Sequence, residues 1–170
     1  NDVEERAWFM DRVEGARDAL SLDDKRRVLK KLSQAQGFER FLHKRYMGHK
    51  RFSVEGAESA IAILDEFLAK GAEHGVTDVL VGMAHRGRLN VLANVMGKSY
   101  EAIFAEFEDA DPKTIQGSGD VKYHLGARGV YRWRGKPNDF GSVEEREERI
   151  ELACNPSHLE AVGPVVMGQT

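Results

Sequence analysis

The stretch Met83-Ala84-His85-Arg86-Gly87-Arg88-Leu89-Asn90 decides how this chain is read, because of what flanks it. The apolar run Val79-Leu80-Val81 before it has the character of a buried strand. After it, Leu89, Val91, Leu92, Val95 and Met96 recur at helical spacing. A histidine and two arginines therefore fall at the carboxyl end of a strand, where a helix begins. In open α/β sheets that edge takes ligands, and a helix N-terminus there offers free N–H groups and the positive end of a dipole. The stretch predicts an α/β fold that holds an anion of phosphate type at this junction.

Working outward, three helices are predicted before the strand. Ser21-Leu22-Asp23-Asp24 is a capping box with Asp in place of Glu, opening a helix through Val28, Leu29 and Leu32 that Gly37 ends. Phe38, Phe41 and Leu42 form a second, short helix up to Tyr46. Ala57, Ile61, Leu64, Phe67 and Leu68 mark the third, closed by Gly71 and Gly75. The strand spans 78–83 and the helix after it 88–96. Ser99-Tyr100-Glu101 opens another helix carrying Ile103, Phe104 and Phe107. Residues 109–119 and 126–149 read as polar loops, the second holding the acidic cluster Glu144-Glu145-Arg146-Glu147-Glu148. Ile150-Leu152-Ala153 reads as a second strand, and Asn155-Pro156-Ser157 caps a helix starting near His158.

The chain has 170 residues, with 41% hydrophobic and 31% charged residues and a formal net charge of -3. That composition supports a folded core and gives no basic face for nucleic acid. The basic runs Lys25-Arg26-Arg27, Lys30-Lys31, Lys44-Arg45 and Lys50-Arg51 read as solvated helix faces. Cys154 is the only cysteine, which excludes an intrachain disulfide, points to a reducing compartment and reads as a small buried hydrophobe. No apolar run has the roughly 20 residues needed to cross a bilayer. The first residue is Asn1 rather than methionine, and the sequence stops in the apolar stretch Pro164-Val165-Val166-Met167; both ends read as cut from a longer chain.

Three segments carry polar residues flanked by glycine or proline: Ala84-His85-Arg86-Gly87-Arg88, the run 117–126 (Gly-Ser-Gly-Asp-Val-Lys-Tyr-His-Leu-Gly), and Asn155-Pro156-Ser157-His158-Leu159-Glu160. Each contributes a histidine. If His85, His124 and His158 converge on one cleft, they supply donors or proton carriers near neutral pH. Other chemistries are poorly supported. The spacings are too irregular for zinc, and no paired cysteines or H-E-x-x-H sequence is present. Gly117-x-Gly119 lacks the third glycine of a dinucleotide fingerprint, no P-loop occurs, and Ser157 and His158 are adjacent and cannot face each other as a pair.

These three segments, with Lys50-Arg51-Phe52-Ser53-Val54-Glu55-Gly56, resemble the E1 component of the 2-oxoglutarate dehydrogenase complex, a thiamine diphosphate enzyme. The resemblance runs from about Gly37 to Thr170. It implies a partial thiamine diphosphate-binding domain with a largely parallel sheet: residues 53–170 as the first part of the pyrophosphate-binding domain, and 1–52 as a preceding helical segment. It implies oxidative decarboxylation of 2-oxoglutarate, a tricarboxylic acid cycle reaction, with the succinyl group passed to a lipoyl arm of the acyltransferase (E2) component. By resemblance Arg86 pairs with the diphosphate, Leu159 lines the cofactor, His85 and His124 act in catalysis and recognise the substrate, and Ser157 contacts it. A homodimer is implied for the full-length enzyme. So is a location in the cytoplasm of a bacterium or the mitochondrial matrix of a eukaryote.

Some features depart from the family. Gly119-Asp120 offers the start of a Mg2+ motif, but Asn138 and Asn155 stand at the wrong separations, so the metal ligands are expected beyond Thr170 and none within this chain. The activating glutamate is absent too, and the chain alone is expected to be inactive. Residues 132–149 are longer and more acidic than the family pattern. The alternatives are the sister E1 enzyme acting on 2-oxoadipate, and a non-catalytic binding module that retains the fold.

Overall fold

The computed structural model describes residues 2–15, 20–108, 124–135, 141–155, 158 and 160–170. Among them the order is α1 (Val3–Glu14), α2 (Leu22–Arg45), α3 (Ser59–Glu73), β1 (Asp78–Val81), α4 (Arg88–Asn94), α5 (Tyr100–Phe107), β2 (Ala127–Arg134), β3 (Glu145–Leu152) and α6 (Val162–Gln169). The class is α/β, helices leading into a small sheet, as the sequence predicts.

Helix α2 begins at the predicted box. The Ser21 hydroxyl accepts from the Asp24 N–H at 3.2 Å and donates to the Asp24 carboxylate at 2.5 Å. It does not stop at Gly37 but runs on to Arg45, so the predicted break and the short second helix are one element. An interior glycine costs a helix about 1 kcal/mol relative to alanine. Burial of Ala35, Phe38 and Leu42 outweighs that. Helix α1 escapes the periodicity argument because none of its residues is buried; Asp2 caps it by accepting from the N–H groups of Glu4 and Glu5.

Strand β3 lies between the other two: β1 pairs with it in parallel and β2 antiparallel. The sheet is therefore mixed, not largely parallel. The difference arises in the region 126–149, which the sequence reading treats as loop. Arg128, Val130, Arg132 and Arg134 alternate with half-buried Ala127, Gly129, Tyr131 and Trp133, the period of a strand with one face covered. The acidic cluster is the start of β3, and its carboxylates pair across the ladder: Arg132 with Glu147 at 2.9 Å, Arg134 with Glu145 at 3.1 Å. Attraction between the two charge runs favours this antiparallel register.

Helix α3 packs on one face of the sheet, with α2 and α4 packed on α3 and on each other, and Leu42, Ile61, Leu68, Leu89, Ile150 and Leu152 belong to the core they share. Phe38, Phe104 and Tyr100 extend it as stacked rings toward α5. Phe67, predicted on the buried stripe of α3, is 66% exposed. The basic runs are not wholly solvated either: Arg27 and Lys31, one turn apart on α2, reach Asp65 on α3 at 2.7 and 2.9 Å. Arg146 of β3 donates to the carbonyls of Ala72 and Glu73 at the C-terminal end of α3 at 2.7 and 2.8 Å, tying helix to sheet.

Candidate anion site at the strand ends

The chain leaves β1 at Val81 and turns through Met83 and His85 into α4. Gly87 makes that turn with φ +76°, and a Cβ there would lie 2.9 Å from Val54 Cγ2. A side chain at this position would be strained and would also push out the 50–56 segment. That segment is drawn in by the Gly87 N–H, which donates to the Phe52 carbonyl at 2.6 Å. Phe52 itself has φ +45°, an unusual conformation for an aromatic residue. Its ring stacks on His85 with centroids 4.9 Å apart.

His124 arrives from the other side, just before β2, and its ring lies 4.9 Å from that of His85. Both imidazoles are half-buried. Asn155, buried just after β3, donates its N–H to the His124 carbonyl at 3.0 Å. The Ala153 N–H donates to the Val81 carbonyl at 2.9 Å. Segments separated by dozens of residues thus meet at adjacent strand ends. The structure brings His85 and His124 together, while Arg86, next to His85 in the chain, reaches the Ser53 carbonyl; Ser157 and Leu159 lie outside the described residues. His158 is exposed.

The two arginines divide. Arg86 is exposed, and its Nη1 donates to the Ser53 carbonyl at 3.3 Å. Among the described residues no carboxylate pairs with it. Arg88, read with Arg86 as part of the anion grip, is instead fully buried and donates to the carbonyls of Met83, Leu125 and Ala153. Burial pushes its guanidinium below the ordinary value, opposed by the nearby Cys154, and it remains a cation at neutral pH. The N-terminus of α4 also offers an anion less than the sequence predicts. Helix α4 has only seven residues, and the N–H groups of Gly87 and Arg88 already serve the carbonyls of Phe52 and His85. What the junction offers an anion is side-chain donors: two imidazoles whose rings meet, the Phe52 ring stacked on one of them, and the exposed guanidinium of Arg86, bonded only to the Ser53 carbonyl among the described residues. Guanidinium and imidazole groups are donors of the kind that meet phosphate and carboxylate oxygens.

Sequence reasoning found Arg88 but not its role as a buried donor to three carbonyls. A cation in the first turn of a helix opposes the dipole, and that is the signal that it has carbonyl partners elsewhere. It missed the roles of Asn90 and Asn94. Asn90 donates to the Ala35 carbonyl and to Glu39, and Asn94 donates to Asn90, a buried polar chain that fastens α4 to α2. Cys154, read as buried, is exposed, because the chain has left the strand and only Leu152, Ala153 and Asn155 keep their side chains inward. Among the described residues no three His, Cys, Asp or Glu side chains gather as a metal site, and no helix is long and apolar enough to cross a membrane. A groove of about 1010 Å3 lies elsewhere, on the open sheet face against Asp78, Arg128, Arg149 and Glu151. Its charges neutralise one another as the pairs Arg128–Glu151 and Arg149–Asp78. It offers an anion nothing comparable.

An α/β protein whose strand ends gather imidazole and guanidinium donors is the class that fold and site define. No protein-family model matches the chain. Curated relatives do. It is 46% identical over 168 residues to the multifunctional 2-oxoglutarate metabolism enzyme of Mycolicibacterium vanbaalenii, over 98% of this chain and 13% of that protein. It is 46% identical over 183 residues to the 2-oxoglutarate dehydrogenase E1 component of Geobacillus kaustophilus, over 100% and 18% respectively. Against the E1 component of Bacillus cereus the identity is 48% over 176 residues, 98% of this chain and 17% of the relative. The chain belongs to the 2-oxoglutarate dehydrogenase E1 component family. It spans between 13% and 18% of the length of these relatives.

Proposed function

We propose that this chain supplies part of the active site of a thiamine diphosphate-dependent enzyme that oxidatively decarboxylates 2-oxoglutarate and passes the succinyl group to a lipoylated acyltransferase component. The observation that carries this reading is the meeting of the His85 and His124 rings, with centroids 4.9 Å apart, at the strand end where the exposed Arg86 follows His85 in the chain. Residues 53–170 are the first part of the pyrophosphate-binding domain and 1–52 its helical lead. Thiamine diphosphate, when bound, supplies the carbon nucleophile that lets a 2-oxo acid lose CO2. Arg86 holds the diphosphate through charge-assisted bonds, worth about 1.5–3 kcal/mol each once water is excluded. His85 and His124 donate to the carboxylates of the dicarboxylic substrate and can hold a proton at a ring nitrogen. Ser157 adds a hydroxyl donor, and Leu159 packs against the cofactor. The Mg2+ ligands belong to other residues of the enzyme, which works as a homodimer. Its compartment follows its source, cytoplasm in a bacterium and mitochondrial matrix in a eukaryote.

The test uses the full-length protein, titrated calorimetrically with thiamine diphosphate and Mg2+ and assayed on 2-oxoglutarate, 2-oxoadipate and a monocarboxylic 2-oxo acid. Arg86→Ala should raise the cofactor Kd by on the order of 10- to 100-fold. A raised KM for the oxo acid with unchanged cofactor affinity would overturn the role of Arg86. His124→Ala should penalise the dicarboxylate most; equal losses on the monocarboxylic acid remove its recognition role. A preference for 2-oxoadipate reassigns the substrate, and absence of cofactor binding by the wild type leaves a non-catalytic module.

A further inference from the structure

Arg88 has a place in the site that its burial conceals. It opens α4 with none of its side chain exposed, where the dipole disfavours a cation. Its fork of donors accounts for the position. Nη1 points to the Met83 carbonyl at 3.4 Å, and Nη2 donates to the Leu125 and Ala153 carbonyls at 2.7 and 2.8 Å. Met83 lies just past β1, Leu125 just before β2, and Ala153 just past β3. One side chain therefore holds three chain ends that the sequence separates by up to 70 residues. His85 stands two residues beyond the first of these carbonyls, and His124 one residue before the second.

We propose that Arg88 is a positioning residue: by tying the three strand ends together it sets the separation of His85 and His124. Carbonyl dipoles solvate its charge without cancelling it, and among the described residues no carboxylate pairs with it. The junction consequently keeps a buried positive charge that favours an anion in front of it. Lysine cannot replace this arrangement, because an ammonium is a compact point donor without a planar fork. The catalytic part of this inference rests on the proposed reading of His85 and His124; the structural part does not.

Two measurements on the full-length protein test it. The first is hydrogen exchange by mass spectrometry in Arg88→Lys. The amides of Gly87, Ala153 and Asn155, which donate to Phe52, Val81 and His124, should exchange at least about tenfold faster together, while the middle of β3 is unchanged. Loosening confined to the first turn of α4, or no loosening, overturns the tie whatever the activity. The second measurement is a double-mutant cycle on 2-oxoglutarate turnover. Arg88→Lys alone should lower kcat/KM on the order of 100-fold. In a His124→Ala background it should add less than about threefold, because both changes remove one arrangement. Fully additive losses overturn the claim that Arg88 acts through His124. Coordinated loosening in a protein that turns over no oxo acid sustains the tie and rejects the proposed function instead. Gly126→Ala probes the same junction with Arg88 intact, since its Cβ would lie 2.7 Å from the Leu152 carbonyl and shift Leu125 away from the guanidinium. It should reproduce the exchange pattern at Asn155 and the non-additivity with His124→Ala; failure of both also overturns the proposal.

Discussion

The two faces of the sheet are built from one alternating sequence and carry opposite chemistry. On the helix-covered face β3 presents Glu148, Ile150 and Leu152, each no more than 1% exposed. On the open face the same strand presents Glu145, Glu147, Arg149 and Glu151, which pair with Arg134, Arg132, Asp78 and Arg128. The covered face gains stability by removing apolar area from water, roughly 25 cal/mol for each Å2. The open face gains little, because exposed ion pairs are screened and cost side-chain entropy. Its pairs fix register instead, since a slip of one residue would turn every charge inward.

Glu148 breaks the pattern. It is a carboxyl on the apolar face, and neither of its oxygens has a hydrogen-bond partner among the described residues. Gly71 on α3 makes room for it; a Cβ there would stand 2.7 Å from Glu148 Oε1. Burial raises its pKa. Asp65, on α3 above the same face, goes the other way. Burial alone would raise its pKa, but hydrogen bonds and charge from Arg27 and Lys31 overcome that and hold it below the ordinary value. The hydroxyl of Tyr131 also donates to Asp65, and burial with that neighbouring carboxylate pushes the phenol up. Two carboxyls over one sheet face are thus shifted in opposite directions by the presence or absence of partners.

The contrast between the faces can be broken most severely at Ile150. Ile150→Ala should lower the opening free energy of β3 amides, read by hydrogen exchange in the full-length protein, by about 2–5 kcal/mol. A loss below that range would mean the covered face is not the structural core. Glu148→Gln should act in the opposite direction, raising the same opening free energy by about 1 kcal/mol at pH 8. The sign follows from linkage. Below the ordinary carboxyl value of 4.5 both states are protonated and the variant gains nothing. As pH rises above it, the unfolded chain releases a proton that the folded chain retains, so wild-type stability falls until the raised folded pKa is passed. A gain independent of pH would assign the effect to packing. Smallest of all is Arg132→Ala on the open face, which should alter β3 exchange by less than about twofold. A larger change would show that the ladder contributes stability as well as register.

Much of the helical frame is legible in the sequence because its signals are local. Ser21 caps through atoms three residues away, and the stripe Ile61, Leu64, Leu68 is a property of one segment. The strand opening at Asp78, which ends at Val81 rather than Met83, and the helix opened by Ser99 lie where apolar spacing and a cap put them. The hairpin was also written, as arginines and acidic residues at alternate positions, but charge-rich sequence resembles loop until its two halves are set opposite each other. For the candidate site, His85, Arg86 and His124 are readable as residues able to meet anions, while nothing in the chain gives the distance between them.

The sequence by itself determined which segments become helices and strands with a strong local period, the polar groups available at the junction, and membership of the E1 family. Only the tertiary structure decided that β2 runs antiparallel beside β3, that α2 continues through Gly37, and that the two arginines of one pentapeptide take opposite roles. The physical reason is the range of the interactions. Caps and periodicities act within a few residues, whereas the burial of Arg88 depends on carbonyls from three strand ends that become neighbours only when the sheet forms.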